Sequence, residues 1–154
     1  MPEAIPSQPR HPLLERLVRD CGIPEVDAAT IDAFLARDGD AVLFFSEDPK
    51  QYPESADVAV VLPELLTAFR GRLRAAFVAR ESERELQKRF GFARWPALVF
   101  VRDGEYVGTI TGIHDWDVYI EKVQSLLAAP TRREAAADAA RANRAATPAP
   151  QETP

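Results

Sequence analysis

The chain has 154 residues, 46% of them hydrophobic and 28% charged, with a formal net charge of -5. That length and apolar content fit one folded domain with tails. The acidic balance argues against non-specific nucleic-acid binding, which needs basic surface to displace counterions. A single cysteine, Cys21, rules out an intramolecular disulfide and fits a reducing compartment.

Residues 1–12, MPEAIPSQPRHP, carry Pro2, Pro6, Pro9 and Pro12. Proline this dense predicts an extended, flexible lead. The segment lacks the apolar core of a secretory signal, and no stretch approaches the roughly 20 apolar residues of a membrane helix. A soluble, cytoplasmic protein with no membrane insertion is expected.

Leu13, Leu14, Leu17 and Val18 recur at helical spacing, so 13–20 is predicted as a helix, ended by Gly22 and Pro24. A short strand fits Ile23–Val26. Thr30 is placed as the N-cap of a helix with Ile31, Phe34 and Leu35 on one face, stopping near Gly39. The run 41–45 reads as a buried strand. A helix over 56–70 follows, with Pro63 inside it and a kink expected there, because proline removes a backbone donor. Leu73–Ala79 reads as a strand. Ser82-Glu83-Arg84-Glu85 fits a capping box, with the helix running through Leu86 and Phe90 to Gly91. Ala97–Val101, the pair Asp103-Gly104 and Tyr106–Thr111 form a hairpin signal. Asp115 is placed as the cap of a last helix with Trp116, Ile120, Val123 and Leu127 on its apolar face.

From Pro130 the composition shifts to Ala, Pro, Thr and Arg with no large apolar residue. Residues 130–154 are expected to be disordered, with some helical tendency over 134–146. The folded domain is placed at 13–129. Its element order demands parallel crossovers plus an antiparallel hairpin, which gives a mixed central sheet with helices on both faces.

That order is similar to thioredoxin over about residues 27–128. The points of resemblance are the "AVLFF" strand, Pro63 in the following helix, and "RFGFARWPALVFVRDGEYVGTITG", which places Pro96 at the cis-proline position and Gly112 at the end of the hairpin. The expected class is therefore a thioredoxin-like α/β fold. The departure lies at 46–55, SEDPKQYPES, where thioredoxin chemistry needs a thiolate at a helix N-terminus and a second, resolving thiol. Neither is present, so dithiol exchange there is excluded.

A cysteine-free junction, an acidic "EDP" segment and a Trp before the cis-proline resemble the HupG/HyaE family of NiFe hydrogenase maturation proteins. The resemblance implies a non-catalytic chaperone that binds the hydrogenase small-subunit precursor and its twin-arginine signal peptide before export, with other maturation proteins as further partners and no cofactor. It points to Glu47, Asp48, Glu54 and Asp57 as acids able to pair with arginines, against the plainer reading of acids at a solvated loop and helix start. Trp95 and Pro96 are the second candidate. A sheet edge open beside Pro96 would accept an extended peptide, with Trp95 as an apolar platform, against the plainer reading of Trp95 as core cover.

His114-Asp115-Trp116 has no nucleophile beside it and is read as structural. Cys21 is read as a small buried hydrophobe. One cysteine and two distant histidines, His11 and His114, give no metal-ligand spacing. Two alternatives stand beside the chaperone: a redox-inactive thioredoxin-like module with another client, and a one-cysteine redox enzyme using Cys21.

Overall fold

The computed structural model describes residues 11–146. The expected lead up to Arg10 and the last residues of the expected tail, 147–154, lie outside the described residues. Helix α1 (Pro12–Arg19) is followed by β1 (Glu25–Val26), α2 (Ile31–Leu35), β2 (Asp40–Phe45), α3 (Glu54–Ala68), β3 (Arg74–Val78) and a 3-10 turn at Arg80–Ser82. Then come α4 (Glu83–Phe90), β4 (Ala97–Arg102), β5 (Glu105–Thr111), α5 (Trp116–Ala128) and α6 (Arg132–Ala146).

The strands form one sheet in the order β1-β3-β2-β4-β5. β3 pairs parallel with β1 and β2, while β4 pairs antiparallel with β2 and β5. Alternation along each strand sends side chains to two cores. Val42, Phe44, Ala75, Phe77, Leu98 and Phe100 meet Leu17 of α1, Val58, Leu62 and Leu65 of α3, and Tyr119 and Val123 of α5. Leu43, Phe45, Ala76, Val78, Val99 and Val101 meet Ile31 and Phe34 of α2 and Leu86 and Phe90 of α4. Burial on both faces explains why β2 and β4 are almost wholly apolar. Each fully buried Phe or Leu here contributes roughly 1.5–3 kcal/mol. This is the thioredoxin-like architecture expected from the sequence.

Arg102 closes the far end of the sheet. Its Nε lies 2.9 Å from Asp40 Oδ1, and its two terminal nitrogens donate to the carbonyls of Ala129 (2.6 Å), Leu126 (3.1 Å) and Leu127 (2.9 Å). These carbonyls lie at the C-terminal end of α5, where the Leu126 carbonyl also accepts the Ala129 amide at 3.2 Å, and a cation is well placed at such an end.

Several local expectations change. α3 runs unbroken through Pro63 and starts earlier than expected, at Glu54. Ser82 makes no capping bond to α4; its hydroxyl accepts the Ala28 amide at 3.0 Å instead. Thr30 and Asp115 occupy N-cap positions without side-chain capping bonds. Cys21 is exposed rather than buried, because Leu17 and Ile23 turn into the core and the chain between them bulges outward at Gly22, whose φ is +66. On α5, Val123 is buried and Ile120 and Leu127 pack partly buried against the core as expected, but Trp116 is 46% exposed and Tyr119 is the further fully buried residue.

The largest change is at the tail, where Arg132–Ala146 is helical rather than disordered. A reciprocal capping box starts it: the Glu134 amide donates to Thr131 Oγ1 at 3.1 Å and the Thr131 amide donates to Glu134 Oε1 at 3.4 Å. The Arg132 guanidinium lies over the Tyr106 ring, 4.2 Å from its centroid, and donates to the Phe90 carbonyl at 3.0 Å. Alanine-rich sequence propagates the helix from that anchor.

Candidate functional site

β2 leaves the sheet at Ser46, and the chain reverses before entering α3. Glu47 takes the left-handed conformation, φ +51, which is uncommon for a residue with a side chain. Asp48 organises the next turn: its Oδ1 accepts the Lys50 amide at 3.0 Å, and its carbonyl accepts the amides of Gln51 (3.0 Å) and Tyr52 (2.8 Å). The Ser55 hydroxyl, in the first turn of α3, donates back to the Ser46 carbonyl. The junction is thus closed by hydroxyl and backbone groups.

Beneath this turn lies Glu83, the first residue of α4, with 0% of its surface exposed. Its Oε1 accepts the Glu47 amide at 2.9 Å, while its Oε2 is buried with no partner among the described residues. Burial pushes its pKa up from 4.5 to about 8; the bond from the Glu47 amide opposes the rise, the charge of Glu47 adds to it, and Arg80 offsets part of it. Arg80 reaches the two outer acids. Its Nε is 3.8 Å from Glu47 Oε1 and its Nη2 is 3.4 Å from Asp48 Oδ2.

On the other side of the junction, the Trp95-Pro96 peptide bond is cis. Trp95 is half-buried. Its ring meets Phe92 edge-on at 5.3 Å and Tyr52 at 6.1 Å between centroids, and its Nε1 is buried with no acceptor among the described residues. The expectation of an open sheet edge beside Pro96 is narrowed. β4 lies between β2 and β5, and the Pro96 carbonyl accepts the Gly112 amide at 2.9 Å.

Gly112 ties this end to α3 and α5. The Tyr119 hydroxyl donates to the Gly112 carbonyl at 3.1 Å, and a Cβ placed on Gly112 would sit 3.6 Å from Glu54 Oε2. Burial pushes the Tyr119 phenol up, and the negative charges of Glu54 and Asp57 act in the same direction. The six residues singled out from sequence therefore separate. Glu47 and Asp48 face Arg80 and Glu83. Glu54 and Pro96 meet at Gly112, with Asp57 one turn further along α3, and Trp95 packs between Phe92 and Tyr52. Arg80, Glu83 and Tyr52 also line this junction and carried no individual signal in the sequence, whereas Gly112 was marked there only as the end of the hairpin.

The His114 Nε2 is 2.8 Å from the Thr111 carbonyl, and its ring packs edge-on against Tyr119. Among the described residues no group of three or more His, Cys, Asp or Glu is placed to hold a metal ion. No helix among them is long and apolar enough to cross a membrane.

Residues 13–119 match the family model described as hydrogenase-1 expression protein HyaE. The chain is 49% identical over 124 residues to the hydrogenase expression/formation protein HoxO of Cupriavidus necator, covering 79% of this chain and 77% of that protein. It is 48% identical over 119 residues to HupG of Bradyrhizobium diazoefficiens, covering 75% of this chain and 80% of that one. Among solved structures, a HupG hydrogenase expression/formation protein from Rhodopseudomonas palustris matches with a TM-score of 0.50 and 48% identity, over 68% of this chain and 95% of the other. The chain belongs to the HupG/HyaE/HoxO family of NiFe hydrogenase maturation accessory proteins.

Proposed function

We propose that this protein is a cytoplasmic, non-catalytic chaperone that holds the NiFe hydrogenase small-subunit precursor by its twin-arginine signal segment before export. The observation that carries the reading is the β2–α3 junction of a family member built without thiols. Ser46 and Ser55 close it, Trp95 stands beside it, and acids run from Glu47 to Asp57. A fold that supports redox exchange elsewhere is here left with recognition chemistry alone.

Cations followed by an apolar stretch suit this neighbourhood. Carboxylates pair with guanidinium groups in a bidentate manner, and an aromatic face accepts apolar side chains. Each exposed ion pair contributes only about 0–1 kcal/mol, so several must act together. Association of this kind is reversible and falls with salt.

The test is co-purification of tagged protein with the small-subunit precursor and with the same subunit lacking its signal segment. Retention of the precursor alone is the expected result. Equal retention of both forms would move the contact to the mature subunit. Retention of neither would leave another client, such as a second maturation protein.

A further inference from the structure

Among the described residues, three large apolar side chains stand exposed: Val60 at 51%, Trp116 at 46% and Ile113 at 37%. All three belong to the two segments joined at Gly112. Glu54, Asp57 and Val60 follow one another at three-residue spacing, which puts them on one face of α3, and all three are exposed. Ile113 and Trp116 lie in and just after the loop from β5 to α5, where a Cβ placed on Gly112 would sit 3.6 Å from Glu54 Oε2.

The charge here has one sign. Residues 51–69 and 103–121 contain no Lys or Arg, while Glu54, Asp57, Asp115 and Asp117 are all exposed. Glu47 and Asp48, by contrast, already face Arg80. Exposed aromatic surface rimmed by polar groups is the usual composition of a recognition site.

We propose that Glu54, Asp57 and Val60 of α3, with Ile113 of the β5–α5 loop and Trp116 at the start of α5, form the docking surface, and that its occupant is a client segment in which paired cations precede apolar residues. The cations lie against Glu54 and Asp57, and the apolar stretch lies along Ile113, Trp116 and Val60. This rests on the chaperone reading and relocates its contact, from the turn at Glu47 and Asp48 to the opposite side of the junction. Charge complementarity selects the occupant: an acidic or purely apolar segment would leave this carboxylate group without counter-charge.

The experiment titrates the full-length protein with a small-subunit twin-arginine peptide and follows binding by calorimetry. The variants are Glu54→Lys/Asp57→Lys, Trp116→Ala, and Glu81→Lys/Glu85→Lys as a control of equal charge change on the α4 side. Thermal melts establish that each variant is folded. Loss of about tenfold or more in affinity is expected for the first two variants, with the control within about threefold of wild type. Wild-type binding with all three variants unaffected would overturn this surface and leave the chaperone reading standing. Equal losses in both charge-reversed variants would also overturn it, showing that overall charge and not this face is read. No binding by the wild-type protein would overturn both.

Discussion

Arg80 stands across the acidic turn from Asp48, with Nη2 3.4 Å from Oδ2. Its Nε lies 3.8 Å from Glu47 as well. The two acids nearest the end of β2 therefore already share one cation of the domain, and a client cation would have to compete with Arg80 for them. Neutralising them in a Glu47→Gln/Asp48→Asn protein is expected to change twin-arginine peptide affinity less than about threefold. Calorimetry at low salt checks this.

Glu83 makes stability depend on pH. Its pKa is raised from 4.5 to about 8 in the folded protein. The folded state therefore holds a proton that the unfolded state releases between those values. Stability from this group is fully present below about pH 4.5 and is lost as pH rises through about 8, by up to about 1.4 kcal/mol per pH unit. A Glu83→Gln protein, neutral at all pH, should melt at a temperature nearly flat across that window and exceed wild type at pH 9. Parallel melting curves for the two proteins would show that Glu83 is not the group responsible.

The capping box at Thr131 fixes the start of α6. Thr131→Ala removes one side of it and should cost about 1 kcal/mol. Arg132→Ala should add to this by freeing the Tyr106 face and the Phe90 carbonyl. Hydrogen exchange across 132–146 should quicken in both variants while the exchange of β2 and β4 is unchanged.

Arg102 joins the sheet to the end of α5 through Asp40 and three carbonyls. Arg102→Ala is expected to lower stability by about 2–3 kcal/mol, because its charge-assisted bonds to Asp40 and to the carbonyls at the end of α5 are lost together. Arg102→Lys should recover only part, since an ammonium cannot present the same planar set of donors. Denaturant unfolding of the two variants gives both values.

Cys21 is exposed, which distinguishes it sharply from a core position. If the protein acts by recognition alone, Cys21→Ser should bind peptide as the wild type does. A client complex lost in this variant would revive the one-cysteine redox reading.

The sheet was legible because its strands are buried on both faces, so Val42–Phe45 and Ala97–Val101 are unbroken apolar runs. Pro96 and Gly112 were legible as punctuation, and they do meet. Other features depend on tertiary contact. Nothing local separates Glu83 from Glu81 or Glu85; only the Glu47 amide above it does. Thr131-Arg132-Arg133-Glu134 has the same spacing as Ser82-Glu83-Arg84-Glu85, yet only the first pair bonds reciprocally, because Ser82 is drawn to Ala28. Trp116 shares helical spacing with Ile120, but periodicity assigns a residue to a face without saying whether the core extends beneath it. Hence the acids of 46–57 looked equivalent in sequence, while the fold divides them between Arg80 and Gly112.

The most direct test of signal-segment capture is a calorimetric titration of the full-length protein with the small-subunit twin-arginine peptide, its Lys-Lys counterpart and an unrelated export signal. It is run at low and at physiological salt. Tightest binding of the twin-arginine peptide, weakened by salt, is the expected result, since planar guanidinium groups pair with carboxylates better than ammonium groups do. Equal binding of all three peptides, or none by any, would contradict it.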